Sequence, residues 1–306
     1  MPKVFHIPLI ITACTLFASC NNSEEKALNL YEETAFVPSE GLESSTSDSI
    51  LSISLAINDT YGLNTACSCI GDLATREYGE LQEILLTKYN IDLQISYFIE
   101  EFYLKDTLKS KQYDGTICKP WLAISLIPET GIQFKRIADL LDPNNNQWLK
   151  GIFIVEKDSH ITEIKDITNR ILVAGQQDSY EKYHSPFKTL DNMKITPLQI
   201  ISKSGCTECI NALLDNQADV AIISDYALTA SCAVDIAHPD DFRTIYETET
   251  MPLCSVILDM SKVSDANALR LQKALLEISG DNAPASLLSR GFVLPVSWIP
   301  VPYKNN

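Results

Sequence analysis

The sequence predicts an α/β protein with two lobes, each a mixed sheet flanked by helices. Strand-like and helix-like segments alternate along the chain, which is typical of sheets covered by helices. The alternation breaks once, at the turn-forming run DPNNN of 142–146, and a long extended segment at 242–260 returns late in the chain. Two β/α sets joined by two crossings make a clamshell. One continuous sheet is the alternative, and the late extended segment is harder to reconcile with it.

The two crossings divide the body of the chain into lobes. We expect lobe 1 to consist of 50–146 plus 252–306, and lobe 2 of 147–251. The chain would then pass between the lobes near 142–151 and again near 247–252, and these segments are the predicted hinges.

Each predicted element follows from its pattern of apolar residues. In the first set, buried strands alternate with apolar residues at helical spacing. Its strands are predicted at 50–57, 91–98 and 113–118, and its helices at 71–89 and through Leu104 and Leu108. The second set has strands at 151–157, 170–175, 198–203 and 218–228, and helices at 161–167, from about 179, and at 206–216. The extended segment 242–260 breaks near Pro252, and an amphipathic helix follows at 265–279.

The N-terminus has the features of a lipoprotein signal. Residues 1–19 contain one lysine and a short apolar run that is too short to span a bilayer as a helix. The run ends in FASC, which resembles the lipobox of bacterial lipoproteins, although Phe17 replaces the usual Leu. We therefore expect an acylated Cys20 followed by a flexible acidic tether at 20–49, which is rich in Ser and Glu. An ordinary secretory signal is the alternative.

The expected location is the outside of a bacterial membrane. The protein would be exported and held by lipid, either at the periplasmic face or at the cell surface. The run NNSEE at 21–25 resembles acidic tags that direct some lipoproteins to the surface, and an acidic tether explains it equally well.

The charge of the chain argues against two kinds of binding partner. The full sequence has a formal charge of −16, and removal of 1–19 leaves 23 basic against 40 acidic residues, a charge of −17. So acidic a body repels nucleic acid and anionic membrane faces.

Four segments, in this order and spacing, resemble one known family. They are YDGTICKPWLAI at 113–124, ITEIKDITNRILVAGQQDSYEKYHSP at 161–186, CINALLDNQADVAIISDYAL at 209–228, and 270–292 with its terminal Gly-Phe pair. The order is similar to that of type 2 periplasmic binding proteins, specifically the phosphate/phosphite/phosphonate-type substrate-binding subunits of ABC transporters. The pattern around ACSC, ICKPW, YEKYH and ISDYA also resembles a branch of that family that has cysteines where ordinary members have none.

The resemblance implies a solute-binding protein. It would capture a small ligand, a phosphonate-like anion or another small solute, between its lobes and deliver it to an ABC permease. Closure of the lobes would be stabilised by the ligand.

Ligand groups in such folds come from loops at the carboxyl ends of strands and from helix N-termini. Three loops qualify, at 65–72, 118–121 and 175–184, and the strand near 224 faces them. The candidate ligand-binding residues are Thr65, Ser68, Lys119, Trp121, Ser179, Tyr180, Ser224 and Tyr226.

One loop departs from the phosphonate-binding pattern. Ser179 stands where the family has its first small hydroxyl, but Tyr180, Glu181 and Lys182 replace the Thr/Ser/Gly series that follows. A carboxylate beside a phosphonate oxygen would repel it, unless Lys182 dominates or Glu181 faces away.

The cysteines leave three uses open: structural disulfides and core thiols, a thiol-lined ligand or metal site, and thiol redox chemistry. Besides Cys20, the mature chain would contain Cys67, Cys69, Cys118, Cys206, Cys209, Cys232 and Cys254. Cys254 lies in an apolar strand and is expected in the core. A soft metal, Cu(I) or Zn(II), would take Cys67, Cys69, Cys118, Glu181 and His184, since the last two are three residues apart and share a helix face. No cofactor is certain.

Two further functions remain as alternatives to solute binding. One is a metal- or redox-handling lipoprotein that uses the cleft cysteines on the same scaffold. The other is a surface interaction protein whose cleft is vestigial. An enzyme is not expected, because the sequence contains no Gly-rich phosphate loop, no Gly-x-Ser-x-Gly elbow and no His-Glu-x-x-His.

Overall fold

The computed structural model describes residues 34–39, 41, 49–59, 76–229 and 236–303. Cys20 and the signal segment therefore lie outside the described residues, as do Thr65, Cys67, Ser68, Cys69 and Cys232.

The first sheet has six strands in the order β13-β4-β12-β3-β1-β2. β1 pairs in parallel with β2 and β3, and the pairs β12–β3, β12–β4 and β13–β4 are antiparallel. The sheet is therefore mixed. Its strands are β1 Leu51–Asn58, β2 Ile91–Tyr97, β3 Gly115–Cys118, β4 Phe134–Leu140, β12 Ser255–Asp259 and β13 Phe292–Val293.

The second sheet has five strands in the order β10-β6-β9-β7-β8. β7 pairs in parallel with β8 and β9, while β6 is antiparallel to β9 and to β10. Its strands are β6 Gly151–Glu156, β7 Ile171–Ala174, β8 Gln199–Ser202, β9 Val220–Ser224 and β10 Phe242–Glu247.

Helices pack against both sheets. In the first part of the chain they are α1 Gly79–Tyr89, α2 Glu101–Lys109, α3 Pro120–Ile124 and α4 Ile127–Thr130. Further on they are α5 Ser185–Asn192, α6 Cys206–Leu214 and α7 Asp265–Glu277. Separate hydrophobic clusters line the faces of the two sheets, where apolar side chains of the strands pack against those of the helices. The mixed α/β fold expected from the sequence is confirmed.

Two short strands connect the sheets. β5, Trp148–Leu149, precedes β6, and β11, Met251–Pro252, follows β10; they pair antiparallel, with Leu149 opposite Met251. Both of these side chains are fully buried. The two chain crossings are therefore hydrogen-bonded to each other.

The segment at 34–36 lies on the first sheet, which corrects its assignment to the flexible tether 20–49. Ala35 forms a parallel bridge with Arg136, and Thr34, Ala35 and Phe36 are buried. β13 pairs only with Leu140 and Asp139, so the rest of that edge of β4 is free to accept another strand. The apolar Ala35 and Phe36 bury against it, which the overall polar composition of the tether concealed.

The C-terminal segment 294–303 contacts elements of both sheets, whereas the sequence assigned it to lobe 1 alone. Arg136 of β4 donates to the Val296 carbonyl at 2.5 Å, and the Trp298 ring lies 5.8 Å from its guanidinium. Tyr303 then packs on Phe187 of α5, with ring centroids 5.6 Å apart. The final residues thus tie the first sheet to the second.

Other elements differ from their predicted bounds. The helix predicted at 71–89 begins at Gly79 in the described part, and the helix predicted at 161–167 is one 3₁₀ turn, Ile164–Ile167. β4 was not predicted. Within the described residues, no helix combines the length and the apolar character needed to cross a bilayer.

Candidate functional site

A cavity of about 340 Å³ lies between the two sheets. From the side of the first sheet it is lined by the end of β2, the first turn of α2 and the residues after β3, including Glu100, Glu101, Phe102, Lys119 and Trp121. From the second it is lined by the loop after β7 and the residue after Lys203, including Gln176, Asp178, Ser179, Tyr180, Glu181, Lys182 and Ser204. Met251 of the crossing strand β11 completes the wall. A site at the carboxyl ends of strands is typical of open α/β sheets.

The loop after β7 leads into a π turn, Tyr180–His184, which continues as α5. The Ser179 hydroxyl caps this turn by accepting from the Lys182 backbone N–H at 3.3 Å. Two glycines let the turn approach the sheet. A Cβ at Gly151 would collide with the Glu181 carbonyl, and one at Gly175 would lie 2.5 Å from Lys182 Cβ. The turn is therefore pressed against β6 and the end of β7, which fixes the direction of Glu181.

Glu181 and Lys119 form an ion pair across the cavity. Lys119 Nζ lies 2.7 Å from Glu181 Oε1, and the side chains are 21% and 2% exposed. Two hydroxyls complete the environment of the carboxylate: Ser224 donates to Oε1 and Ser179 to Oε2, both at 3.1 Å. Ser224 in turn contacts Cys206, whose Sγ lies 3.8 Å from its hydroxyl.

The electrostatics of this pair keep both groups charged. Burial alone would raise the pKa of Glu181, but the ammonium groups of Lys119 and Lys182 and the hydrogen bond from Lys119 outweigh it, and the pKa falls to about 2. Burial would likewise lower the pKa of Lys119, and the charge of Glu181 reverses that effect and raises it well above its usual value. The pair is ionised throughout the physiological pH range.

A second ion pair also joins elements of the two sheets. Lys105 Nζ of α2 lies 2.9 Å from Asp178 Oδ2 in the loop after β7. Both cross-sheet pairs thus have their lysine in the first part of the chain and their carboxylate in the loop region 178–181.

Aromatic rings form the wall beside the ion pair. Trp121 lies 5.3 Å from Tyr180 and 4.8 Å from His184 between ring centroids, and Tyr180 lies 5.2 Å from Trp298. The Tyr180 hydroxyl accepts from the backbone N–H of Val301 at 3.2 Å. Burial raises the pKa of Tyr180 to about 12, so the phenol stays protonated. The wall joins the cavity to the C-terminal segment.

The structure brings together half of the residues that the sequence proposed for ligand binding. Lys119, Trp121, Ser179 and Tyr180 line the cavity. Ser224 is fully buried behind Glu181, and Tyr226 is half-buried against the cluster that contains Trp121. Thr65 and Ser68 lie outside the described residues.

The metal site expected at Cys118, Glu181 and His184 is wrong for these three residues. Cys118 is fully buried in an apolar cluster, Glu181 is engaged by Lys119, and His184 Nδ1 accepts from the Tyr303 backbone N–H at 3.2 Å. Burial lowers the pKa of His184, which keeps this acceptor neutral. Across the described part of the chain, no three His, Cys, Asp or Glu side chains form a group that could hold a metal ion. Cys67 and Cys69, the other proposed ligands, lie outside it.

The described cysteines are core thiols. Cys118, Cys206, Cys209 and Cys254 are free and buried. Burial raises the pKa of Cys118 and of Cys209 to about 12, so these thiols are protonated and poor nucleophiles. The expectation that Cys254 lies in the core is confirmed.

Several cavity residues escaped the sequence analysis. Glu100, Glu101 and Phe102 follow β2, and the strand-end rule that singled out the other loops applies to them equally. Gln176 and Asp178 lie in the loop 175–184, which the sequence predicted to face the ligand, but only Ser179 and Tyr180 of that loop were predicted to bind it. Met251 could not be found in this way, because only pairing between the crossing strands brings it to the cavity.

Solved structures of low sequence identity share this fold. XAC2383 from Xanthomonas citri bound to chloride ion aligns with a TM-score of 0.63 at 14% identity, over 80% of this chain and 92% of that one. PhnD1 from Prochlorococcus marinus in complex with methylphosphonate gives 0.57 at 10% identity, over 80% and 93%. A binding protein component of an ABC phosphonate transporter, PA3383 from Pseudomonas aeruginosa, gives 0.53 at 14% identity, over 79% and 81%. These likenesses confirm the predicted type 2 fold. No curated protein sequence matches the chain.

A family model matches most of the sequence. It describes the phosphonate periplasmic substrate-binding protein of ABC transporters, and it matches residues 72–292. That span contains both sheets apart from β1, together with all the described cavity residues. The chain therefore belongs to the family of phosphonate periplasmic substrate-binding proteins of ABC transporters, as the four sequence segments implied.

Proposed function

We propose that this protein is a lipid-anchored solute-binding protein that captures a small ligand between two lobes and delivers it to an ABC permease. The observation that carries the proposal is the cavity, about 340 Å³, with charged and aromatic walls from both sheets. A cavity of that size suits a small molecule. The family is one of transport binding proteins and not of enzymes.

The connection between the sheets supports a closing motion. In the described part of the chain, two crossings join the sheets before the C-terminal segment, and they pair with each other at Leu149 and Met251. Rotation about this paired ribbon, with hinges near 142–151 and 247–252, would open the cavity with little change inside either sheet. Met251 lies in the cavity wall, so a bound solute would contact the hinge itself.

The ligand class follows from family membership and from the donors of the cavity. Lys119 and the Ser179 hydroxyl suit an oxyanion such as a phosphonate, and the aromatic wall suits a small organic group. Lobe 1 would comprise 50–146 with 252–306, and lobe 2 would comprise 147–251, with the C-terminal segment bridging both.

The test of solute binding is native mass spectrometry of the chain from residue 21 onward, which keeps the segment 34–36 on the first sheet, purified from its native compartment without a denaturing step. We expect a co-purified solute in the wild type and its loss from Ser204→Trp, because the indole would fill part of the cavity. Ser110→Trp, at the exposed end of α2, is the matched control and should keep the solute. Equal retention in both variants would place the solute elsewhere, and an empty wild type would favour a surface protein with a vestigial cleft.

The lipid anchor is a separate part of the proposal. A lipobox-like FASC and the acidic segment after it support acylation at Cys20. We expect an alkyne-labelled fatty acid to be incorporated into the full chain and not into Cys20→Ser, which should leave the membrane fraction. Membrane retention of Cys20→Ser without label would contradict this.

A further inference from the structure

The buried carboxylate of Glu181 sits in a ring of donors that matches an oxyanion site. Lys119 Nζ, Ser179 Oγ and Ser224 Oγ lie 2.7, 3.1 and 3.1 Å from its oxygens. One cation and two hydroxyls around a shielded anion are the groups that recognise phosphonate, phosphate or carboxylate ligands. In this protein the anion they hold is a side chain of the protein itself.

We propose that Glu181 is an internal competitor for the anion position of the cavity: its carboxylate occupies the donors that an oxyanionic solute would use, and it thereby sets the affinity of the protein for such solutes. This inference deepens the proposed function and rests on it, because it assumes that the cavity takes a solute.

The three donors around the Glu181 carboxylate come from both sheets, as expected of a site that holds a ligand between two lobes. Lys119 follows β3 of the first sheet, while Ser179 and Ser224 follow β7 and end β9 of the second. An anion held between them joins the two sheets, which is what a closing ligand must do. Glu181 makes the same connection without a ligand, so the structure is closed around its own carboxylate.

Tethering makes Glu181 a strong competitor. A group fixed beside its site acts at an effective concentration of millimolar or more, and the packed turn holds this one in place. Gly151 and Gly175 let that turn approach β6 and β7 so closely that the Glu181 backbone cannot retreat toward the sheet. An external anion must therefore displace the side chain, and its apparent affinity falls by the fraction of molecules in which the position is free.

Among its described lining residues, the cavity has more acidic than basic side chains. Glu100, Glu101 and Asp178 also line it, so four carboxyl groups face the two ammonium groups of Lys119 and Lys182. With Glu181 neutralised, Lys119 becomes free to pair with a ligand, and the cavity loses the negative charge closest to that lysine. The side chain at 181 is thus the position where one substitution changes the anion preference most.

The test is isothermal titration calorimetry with methylphosphonate on the wild-type chain from residue 21 onward and on its Glu181→Gln variant. The amide keeps the size of the side chain and removes the charge that holds Lys119. We expect the variant to bind methylphosphonate at least tenfold more tightly than the wild type. Glu181→Thr, which puts a hydroxyl in the loop and leaves space beside Lys119, should show the same direction and serves if the amide variant does not fold.

Glu100→Gln tests whether a gain in affinity comes from freeing the donors around Glu181 or only from removing one negative charge from the cavity. It removes one negative charge from the same cavity, and its exposed side chain has no hydrogen bond to Lys119 in the described structure. We expect a gain of less than threefold from it. Equal gains in Glu100→Gln and Glu181→Gln would overturn the competitor role, as would equal or weaker methylphosphonate binding by both position-181 variants, including no binding at all.

The two experiments together distinguish a failure of the competitor role of Glu181 from a failure of the proposed solute binding. A wild type that carries a co-purified solute, together with position-181 variants that gain nothing for methylphosphonate, rejects the competitor and leaves solute binding intact. An empty wild type whose position-181 variants nevertheless gain tenfold supports the competitor, and it shows that the natural site is self-occupied.

Discussion

At the scale of single residues, the buried ion pair between Lys119 and Glu181 determines the charge of the cavity. Removing two charges from water costs free energy, and a buried ion pair offsets that cost only when further hydrogen bonds satisfy its atoms. Here the hydroxyls of Ser179 and Ser224 form these bonds with the Glu181 carboxylate. Removing Lys119 would leave the Glu181 carboxylate, which is 2% exposed, as an unpaired buried charge. The cavity therefore depends on a pair that is expensive to break and sensitive to pH.

The pH dependence follows from the lowered pKa of Glu181. Its folded-state pKa of about 2 lies below the ordinary value of 4.5, so its contribution to stability is complete above about pH 5 and is lost as the pH falls toward 2. Between pH 5 and pH 3 we expect this group alone to cost about 2 kcal/mol of the free energy of unfolding. Urea titrations of wild type and Glu181→Gln at both pH values would show the wild type losing about that much more.

The control is Glu247→Gln, which removes a carboxylate from an exposed surface pair with Lys150. Its pH profile should parallel that of the wild type, since exposed pairs contribute little. A Glu181→Gln profile that also parallels the wild type would contradict the lowered pKa.

At the scale of elements, the sequence predicted what periodicity can reveal. β1, β2, β6, β7 and α7 read as apolar strands or an amphipathic helix, and the structure has them within a few residues of the expected bounds. β4 was missed because two of its residues, Arg136 and Asp139, are charged yet fully buried as a pair at 2.9 Å. Their burial depends on partners far along the chain, including the Val296 carbonyl and the Trp298 ring, which no local pattern shows.

The candidate site was predicted in part for the same reason. Lys119, Trp121, Ser179 and Tyr180 were found because they end strands or begin a helical turn. Whether Glu181 faced the cavity or turned away could not be decided from sequence, since that depends on the contact of its turn with Gly151 of another strand. The orientation of the Glu181 side chain decides whether Lys119, Ser179 and Ser224 bind this carboxylate or are free to bind another anion.

The C-terminal segment is the element whose removal should be most informative. Tyr303 packs on Phe187 and Tyr183 at 5.6 and 6.3 Å between ring centroids. Because each aromatic pair adds about 0.5–1.5 kcal/mol beyond burial, we expect Tyr303→Ala to lower the free energy of unfolding by about 1–3 kcal/mol. Urea unfolding followed by circular dichroism measures the loss. Leu294→Ala, at an exposed side chain of the same segment, is the matched control and should change stability by less than about 0.5 kcal/mol; equal losses would mean that the packing of Tyr303 does not stabilise the fold.

At the scale of the whole molecule, the contacts that hold the sheets together in the described residues include the ion pairs across the cavity, the packing of Trp121 on Tyr180 and His184, and the C-terminal segment behind the cavity. The ion pairs, Lys119–Glu181 and Lys105–Asp178, lie on the cavity side. The paired crossings β5 and β11 border the same cavity through Met251. Opening must therefore break the ion pairs first, while the crossings act as the pivot.

This arrangement makes the closed state of the free protein depend on the two lysines. We expect the double variant Lys105→Gln with Lys119→Gln to shift the ratio of open to closed molecules at least tenfold, since about 1.4 kcal/mol suffices for that change and the buried pair alone is worth more when broken. Small-angle X-ray scattering should then give a larger radius of gyration than for the wild type.

The control is Lys109→Gln, which removes a surface ion pair with Glu129. Both partners of that pair belong to helices beside the first sheet, so this variant should leave the radius of gyration unchanged. If the double variant keeps the wild-type radius, the C-terminal segment and not the cavity holds the lobes, and adding Tyr303→Ala should then open the molecule. Because that segment contacts Tyr180 in the cavity wall, either result assigns the control of closure to residues that a bound solute would touch or adjoin.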